Sequence, residues 1–355
     1  MRLLAAVAGL ALIALLAAAL IPSGGSNATK RFSVHALAGH VSTTNGLRTH
    51  LSKVFGSDIP AKQYGTQIAD IEDQGIDVNG QLASDLAPIP PSAFSAPIAA
   101  YRGYAEHWAG KLAAQVPVLR AALAGGNRAA SEQAWSVAWS DYLHLGAVYG
   151  LLPGTLDQRI DGIPNALPAD GSSGEARSDF SGLHRIEFGL WTGASPQSLV
   201  HWATQLRGDV VTLRRVLPSV QITPLDYATR AHEILEDAQR DFLSGTDVPW
   251  SGAGVLATAA GLTATQEVIQ TLTPLLQGRD TALGEVQSWL PQLQDVLNRL
   301  RAAHHGSYPT LAQLTPAQHE LLDGTMTGTL GALSLVPGTL ETTALPVIPK
   351  IPSTR

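Results

Sequence analysis

The sequence predicts an all-α protein: two packed antiparallel bundles of the four-helix type behind a short mixed N-terminal segment. Three observations lead there. Apolar residues recur at helical spacing from residue 95 onward, start and stop signals punctuate that pattern, and neither period-2 alternation nor an Asn-Gly hairpin signal recurs after it. Composition agrees, since charged residues make up 15% of the 355 against a typical value of about 25%, while Ala and Leu are abundant. Small side chains between closely packed helices account for such a balance. The length suffices for one large domain or two smaller ones.

The first element is a targeting segment. Met1-Arg2 precedes an apolar run from Leu3 to Ile21, followed by the small-residue flank Pro22-Ser23-Gly24-Gly25-Ser26-Asn27-Ala28. Residues 1–28 therefore read as an export signal cleaved near Ala19 or Ala28, or as an uncleaved signal anchor, since the run is also long enough to span a bilayer. A lipid anchor on cysteine is excluded because the chain has none. Either reading places the body of the protein outside the cytoplasmic membrane, touching the membrane only through this segment.

Residues 29–94 form a mixed segment with turn signals at Gly56-Ser57-Asp58-Ile59-Pro60 and Ala87-Pro88-Ile89-Pro90-Pro91, leaving room for short helices around Thr44 to Val54 and Gln67 to Leu86. The main domain is expected over 95–340, in two lobes divided near residue 200, with 341–355 as a tail. Its first helix runs from Pro97, a first-turn proline, to Leu123, and stops at Gly125-Gly126. Asn127 caps a second helix reaching about Tyr149, on which Trp135, Trp139, Tyr142, Gly146 and Tyr149 share a stripe. Leu152 to Arg177, rich in Pro, Gly and Asp, reads as a long loop of the kind that carries function. Helices follow at about Ser178 to Trp191, Pro196 to Leu217, Pro224 to Ser244, Gly252 to Gln277, Thr281 to His304 and Thr315 to Leu333. Ser195-Pro196 and Thr315-Pro316 supply caps with first-turn prolines, and Gly245 and Gly278 mark ends.

Several function classes drop out. The absence of cysteine excludes thiolate zinc, type-1 copper and iron–sulfur sites, disulfides and thiol nucleophiles, so any metal must be held by His, Asp, Glu, Tyr or backbone oxygen. A formal net charge of -6 with 23 scattered basic residues argues against nucleic acid. No G-x-S-x-G elbow or Walker loop is present.

The residues that point to chemistry lie in Ser181-Gly182-Leu183-His184-Arg185-Ile186-Glu187-Phe188-Gly189-Leu190-Trp191. His184 and Glu187 are three apart on a helix, leave the same face and can reach one ion. Tyr142 and His144 form a second pair, with Tyr142 on the aromatic stripe. His232 and Glu236, one turn apart beside an apolar stripe, form a third; Glu236 stands where a zinc protease would need its second His. His304-His305 sits at a helix C-terminus and suits a cap.

The Gly182-x-His184-x-x-Glu187 run with Phe188, Leu190 and Trp191 resembles the signature of the imelysin family, whose best understood members are extracytoplasmic iron-binding components of Efe-type uptake systems. The similarity covers about residues 95–335, including the closing segment Tyr308-Pro309-Thr310-Leu311-Ala312-Gln313-Leu314-Thr315. It implies an exported helical protein that captures ferrous or ferric iron, or another divalent cation, for a partner permease, with a haem peroxidase as a further partner. Metal ligation by His184 and Glu187 is implied, with His144, Glu236, Tyr142 and His232 as further candidates by approximate position. There are departures. Relatives carry acidic and His ligands where this chain reads Trp250-Ser251-Gly252-Ala253-Gly254-Val255-Leu256-Ala257, and many place a cysteine-bearing cupredoxin domain first. Two alternatives stay open: an imelysin-like metallopeptidase, for which no full ligand set and general base can be named, and a metal-free surface interaction protein on the same fold.

Overall fold

A 30-residue helix, α1 (Ser95–Ala124), buries Tyr101, Ala105, Ala109, Leu112, Val116, Leu119 and Leu123, a spacing of three or four that lays one apolar stripe along it. The structure, a computed structural model, describes residues 88–163, 180–279 and 281–340. Among the described residues all regular elements are helical, in agreement with the predicted all-α class. The apolar N-terminal run, the two short helices expected before residue 87 and the tail lie outside them. No helix among the described residues is long and apolar enough to cross a membrane.

Helix α1 ends at Gly125-Gly126 as the sequence predicts, and the Asn127 side chain accepts the Ala130 N–H at 3.0 Å to start α2 (Arg128–Leu143). That helix stops at Leu143 instead of reaching Tyr149. A β-carbon on Gly146 would lie 3.0 Å from the Ile234 side chain, so the chain there presses closely against a later helix and turns as a short 3₁₀ segment, Gly146–Val148. The Tyr101 hydroxyl fixes the turn by donating to the His144 carbonyl at 3.2 Å and accepting the Ala147 N–H at 2.9 Å. Within the expected loop lies a further helix, α3 (Leu156–Asp161).

The remaining helices are α4 (Gly182–Thr192), α5 (Pro196–Val216), α6 (Pro224–Asp237), α7 (Gly254–Leu276), α8 (Ala282–Ala303), α9 (Pro316–Leu333) and the short α10 (Leu335–Thr339). Ser195 caps α5 through its hydroxyl, and Thr223 with Asp226 and Thr315 with Gln318 form reciprocal capping boxes on α6 and α9. Proline occupies the first turn of all three. After Asp237 the chain widens into a π-helical turn, Ala238–Phe242, where an unbroken α-helix to Ser244 is expected from the sequence.

Helices α1, α2, α4 and α5 pack as one set and α6 to α9 as another. Helix α7 belongs to both, lying against α1 and α2 as well as α6 and α8. Its small buried residues, Ala257, Ala259, Ala260, Gly261 and Ala264, permit approach from several sides. One continuous apolar core therefore runs through both sets.

Candidate metal centre

Two glycines create the site. Gly162 ends α3 at φ 81° and Gly182 begins α4 at φ 59°, both in the left-handed region. Their backbones cross so tightly that a β-carbon on Gly182 would fall 2.1 Å from the Ile160 carbonyl oxygen, and one on Gly162 would overlap the Ser181 carbonyl. The Ser181 N–H donates to Gly162 O at 3.3 Å across the crossing. Asp161, the last residue of α3, is thereby set against His184 in the first turn of α4.

His184 is fully buried, edge-on to the Trp139 ring with centroids 4.6 Å apart. Its Nδ1–H donates to Glu187 Oε2 at 2.8 Å. The other carboxylate oxygen, Oε1, accepts the Ser251 N–H at 2.8 Å. Both oxygens of Glu187 are thus engaged by the protein, one of them on the Nδ1 side of the imidazole. The Ser251 contact also pins the loop after the π turn, in which Asp247 N–H donates to Asp241 O at 3.0 Å. A β-carbon on Gly254 would lie 2.3 Å from the Phe242 carbonyl, which shows how closely that loop folds onto the turn.

The outcome is a three-residue group. His184 Nε2 is buried without a hydrogen-bond partner, 3.5 Å from Asp161 Oδ1 and 3.8 Å from Asp247 Oδ2, which are ion-pair distances. All three ligand atoms lie within 4.8 Å of one another. Two carboxylates and one imidazole form an oxygen-rich set suited to iron and other hard or borderline cations. Asp161 and Asp247 also line a cavity of about 310 Å³, together with Asp157, Asp237, Asp241 and Tyr142.

The charged groups here act strongly on one another. Burial pulls the His184 imidazole down, but the negative charges of Asp161 and Asp247 outweigh it and hold the ring well above the usual histidine range. Burial pushes Asp247 up to about 7; His184 opposes the shift, while Asp161 and Asp241 add to it. Asp157 rises to about 6, chiefly through burial, although it accepts the Gly150 N–H.

The sequence candidates distribute unevenly around this group. His184 stands in it. Glu187 contacts His184 from behind and orients it. Tyr142 lines the cavity, its ring against Trp139 and Tyr149, with burial and then the charges of Asp161, Asp157 and Asp247 driving its hydroxyl pKa well above 10. His144 lies elsewhere: it stacks on Trp108 at 3.4 Å, its Nδ1 is 2.6 Å from Ser140 O, and burial lowers its pKa to about 4. His232 and Glu236 pair with each other at 3.2 Å on a partly exposed face, outside the group. Asp161 and Asp247 escape sequence reasoning. Each is followed or preceded closely by a turn glycine, Gly162 and Gly245, but nothing local marks them as neighbours of His184. Ser251 contributes through its backbone, so its side-chain type carries no signal.

No family model matches the chain. It is similar to the iron uptake system component EfeO of Yersinia pseudotuberculosis and of Yersinia pestis, each 23% identical over 264 residues, covering 73% of this chain and 68% of the relative. It is also similar to the protein of that name from Escherichia coli strain K12, 24% identical over 182 residues, or 51% of this chain and 48% of the relative.

Proposed function

With that similarity as the premise, we propose that the chain is an extracytoplasmic iron-binding component of an Efe-type uptake system, related to the imelysin family, which captures iron outside the cytoplasmic membrane and hands it to a permease. A haem peroxidase is the second partner in this reading. One observation carries it above all: a fully buried imidazole presents an Nε2 with no hydrogen-bond partner to two carboxylates that line an acidic cavity. A buried polar atom of this kind is costly unless a ligand satisfies it.

In this reading Asp161, His184 and Asp247 hold the cation, and the acidic cavity attracts it. Glu187 fixes the ring so that Nδ1 keeps its proton and Nε2 faces the ion, as carboxylates commonly do behind metal-bound histidines. No bond is broken, and the ion itself is the cargo.

Calorimetric titration with ferrous iron under anaerobic conditions, ferric iron, zinc and manganese tests the proposal. Saturable binding to the wild type is expected, with loss in His184→Ala, Asp161→Asn and Asp247→Asn. Glu187→Gln should weaken binding by about 10- to 100-fold, the usual cost of losing an orienting partner. His144→Ala and Glu236→Ala should leave affinity unchanged, because both side chains lie outside the group. A folded wild-type protein that binds none of these ions overturns the reading and favours the metal-free interaction protein.

A further inference from the structure

The aspartates that line the acidic cavity differ in exposure from one another and from the buried His184. Asp237 and Asp241 are 35% and 29% exposed, Asp161 and Asp247 are 26% and 18%, and His184 is fully buried. Against the more exposed pair stands a cation of the protein's own: Arg240, 61% exposed, on the π-helical turn. Its Nη2 donates to Asp237 Oδ1 at 2.7 Å, its Nε donates to Asp241 Oδ1 at 2.9 Å, and Nη2 also contacts Asp241 Oδ2. One guanidinium thus neutralises both outer carboxylates. Asp237 ends α6 three residues before Arg240, and Asp241 follows it directly, so all three share one face where α6 passes into the π turn.

Resting on the reading of the cavity as a cation site, we propose that Arg240 is a tethered competitor that sets the rate at which a free metal cation enters. The guanidinium occupies the outer carboxylates while the inner group is empty. An arriving cation must displace it to use Asp237 and Asp241 as its first contacts, and Arg240 closes over them again once the ion has moved inward. Arg240 touches no member of the inner group, so it acts through Asp237 and Asp241 as a positioning residue.

Trp139, edge-on to His184, reports ion arrival through quenching of its fluorescence by bound ferrous iron. Stopped-flow mixing of the full chain with anaerobic ferrous iron should show Arg240→Gln associating about fivefold faster at low salt, with the advantage shrinking toward none at high ionic strength. Arg240→Lys keeps the charge but not the fork that spans both carboxylates, and should associate at a rate between those of the wild type and Arg240→Gln. Arg128→Gln makes the same charge change at an exposed Arg128–Glu132 pair at the far end of α2, and should not alter the rate. In an Asp237→Asn/Asp241→Asn background the gain from Arg240→Gln should vanish, because nothing remains to be uncovered. An Arg240→Gln protein of unchanged helicity with the wild-type rate, or a gain matched by Arg128→Gln, overturns the proposal while leaving the cation site intact. Absence of saturable quenching in the wild type overturns both.

Discussion

His184 concentrates the chemistry of the molecule in one side chain. Its Nδ1 is committed to Glu187, which leaves Nε2 to face two aspartates across distances too long for hydrogen bonds. Without an ion, the ring keeps a proton against its burial because those carboxylates favour the charged form. A metal must therefore displace that proton, and below about pH 7 it must displace one from Asp247 as well. The sign follows directly: the ion-bound state holds fewer protons than the ion-free state, so affinity rises with pH. Titrations from about pH 6 to 8 should show tightening, with at least one proton released per ion. Calorimetry in buffers of different ionisation enthalpy measures that release. Affinity independent of pH over this range would contradict the assignment of His184 as a ligand.

At the scale of elements, the site is a product of turns more than of helices. His184 and Glu187 are legible in the sequence because their spacing is local and helical geometry fixes the result. Asp161 and Asp247 are not. They lie 23 residues before and 63 residues after His184, and long-range contacts bring them to it, among them the Gly162–Gly182 crossing, the Glu187–Ser251 hydrogen bond and the Asp247–Asp241 backbone bond. The same distinction separates what was legible in the fold. Helix starts follow from Asn127, Ser195, Thr223 and Thr315, whose caps are local chemistry, whereas the early end of α2 depends on Ile234 packing against Gly146 from far along the chain. The crossing also makes a sharp prediction. Gly182→Ala places a β-carbon 2.1 Å from Ile160 O at positive φ, and should destabilise the fold by about 2–4 kcal/mol while separating Asp161 from His184. Gly193→Ala, at φ 88° with nothing within 4 Å of the new carbon, bears only the conformational cost of about 1 kcal/mol. Denaturant unfolding of the two variants tests the contrast, and equal losses would contradict the proposed backbone clash.

Across the whole molecule, the candidate centre draws its residues from both helix sets. Asp161 and His184 come from α3 and α4, Asp247 follows α6, and α7 packs against helices of each set. An ion held by all three residues therefore cross-links segments that otherwise rely on packing and on a few polar contacts, such as Ser251 N–H to Glu187 and Arg230 to the Tyr149 carbonyl. It also offsets the mutual repulsion of carboxylates whose burial has already raised Asp247 and Asp157. Both effects favour the folded state only. At an ion concentration about 100 times Kd, linkage gives about 2.7 kcal/mol, which in a domain of this size corresponds to a rise in Tm of about 5–10 °C. The rise should grow with the logarithm of ion concentration and disappear in Asp161→Asn and Asp247→Asn alike, since each ligand comes from a different segment. Helicity should stay constant throughout, because the ion joins elements that are already formed. Scanning calorimetry with and without the ion checks this, and a Tm that stays fixed while titration shows saturable binding would mean that the unfolded chain binds the ion as well as the folded one, which contradicts a site assembled by folding from these three segments.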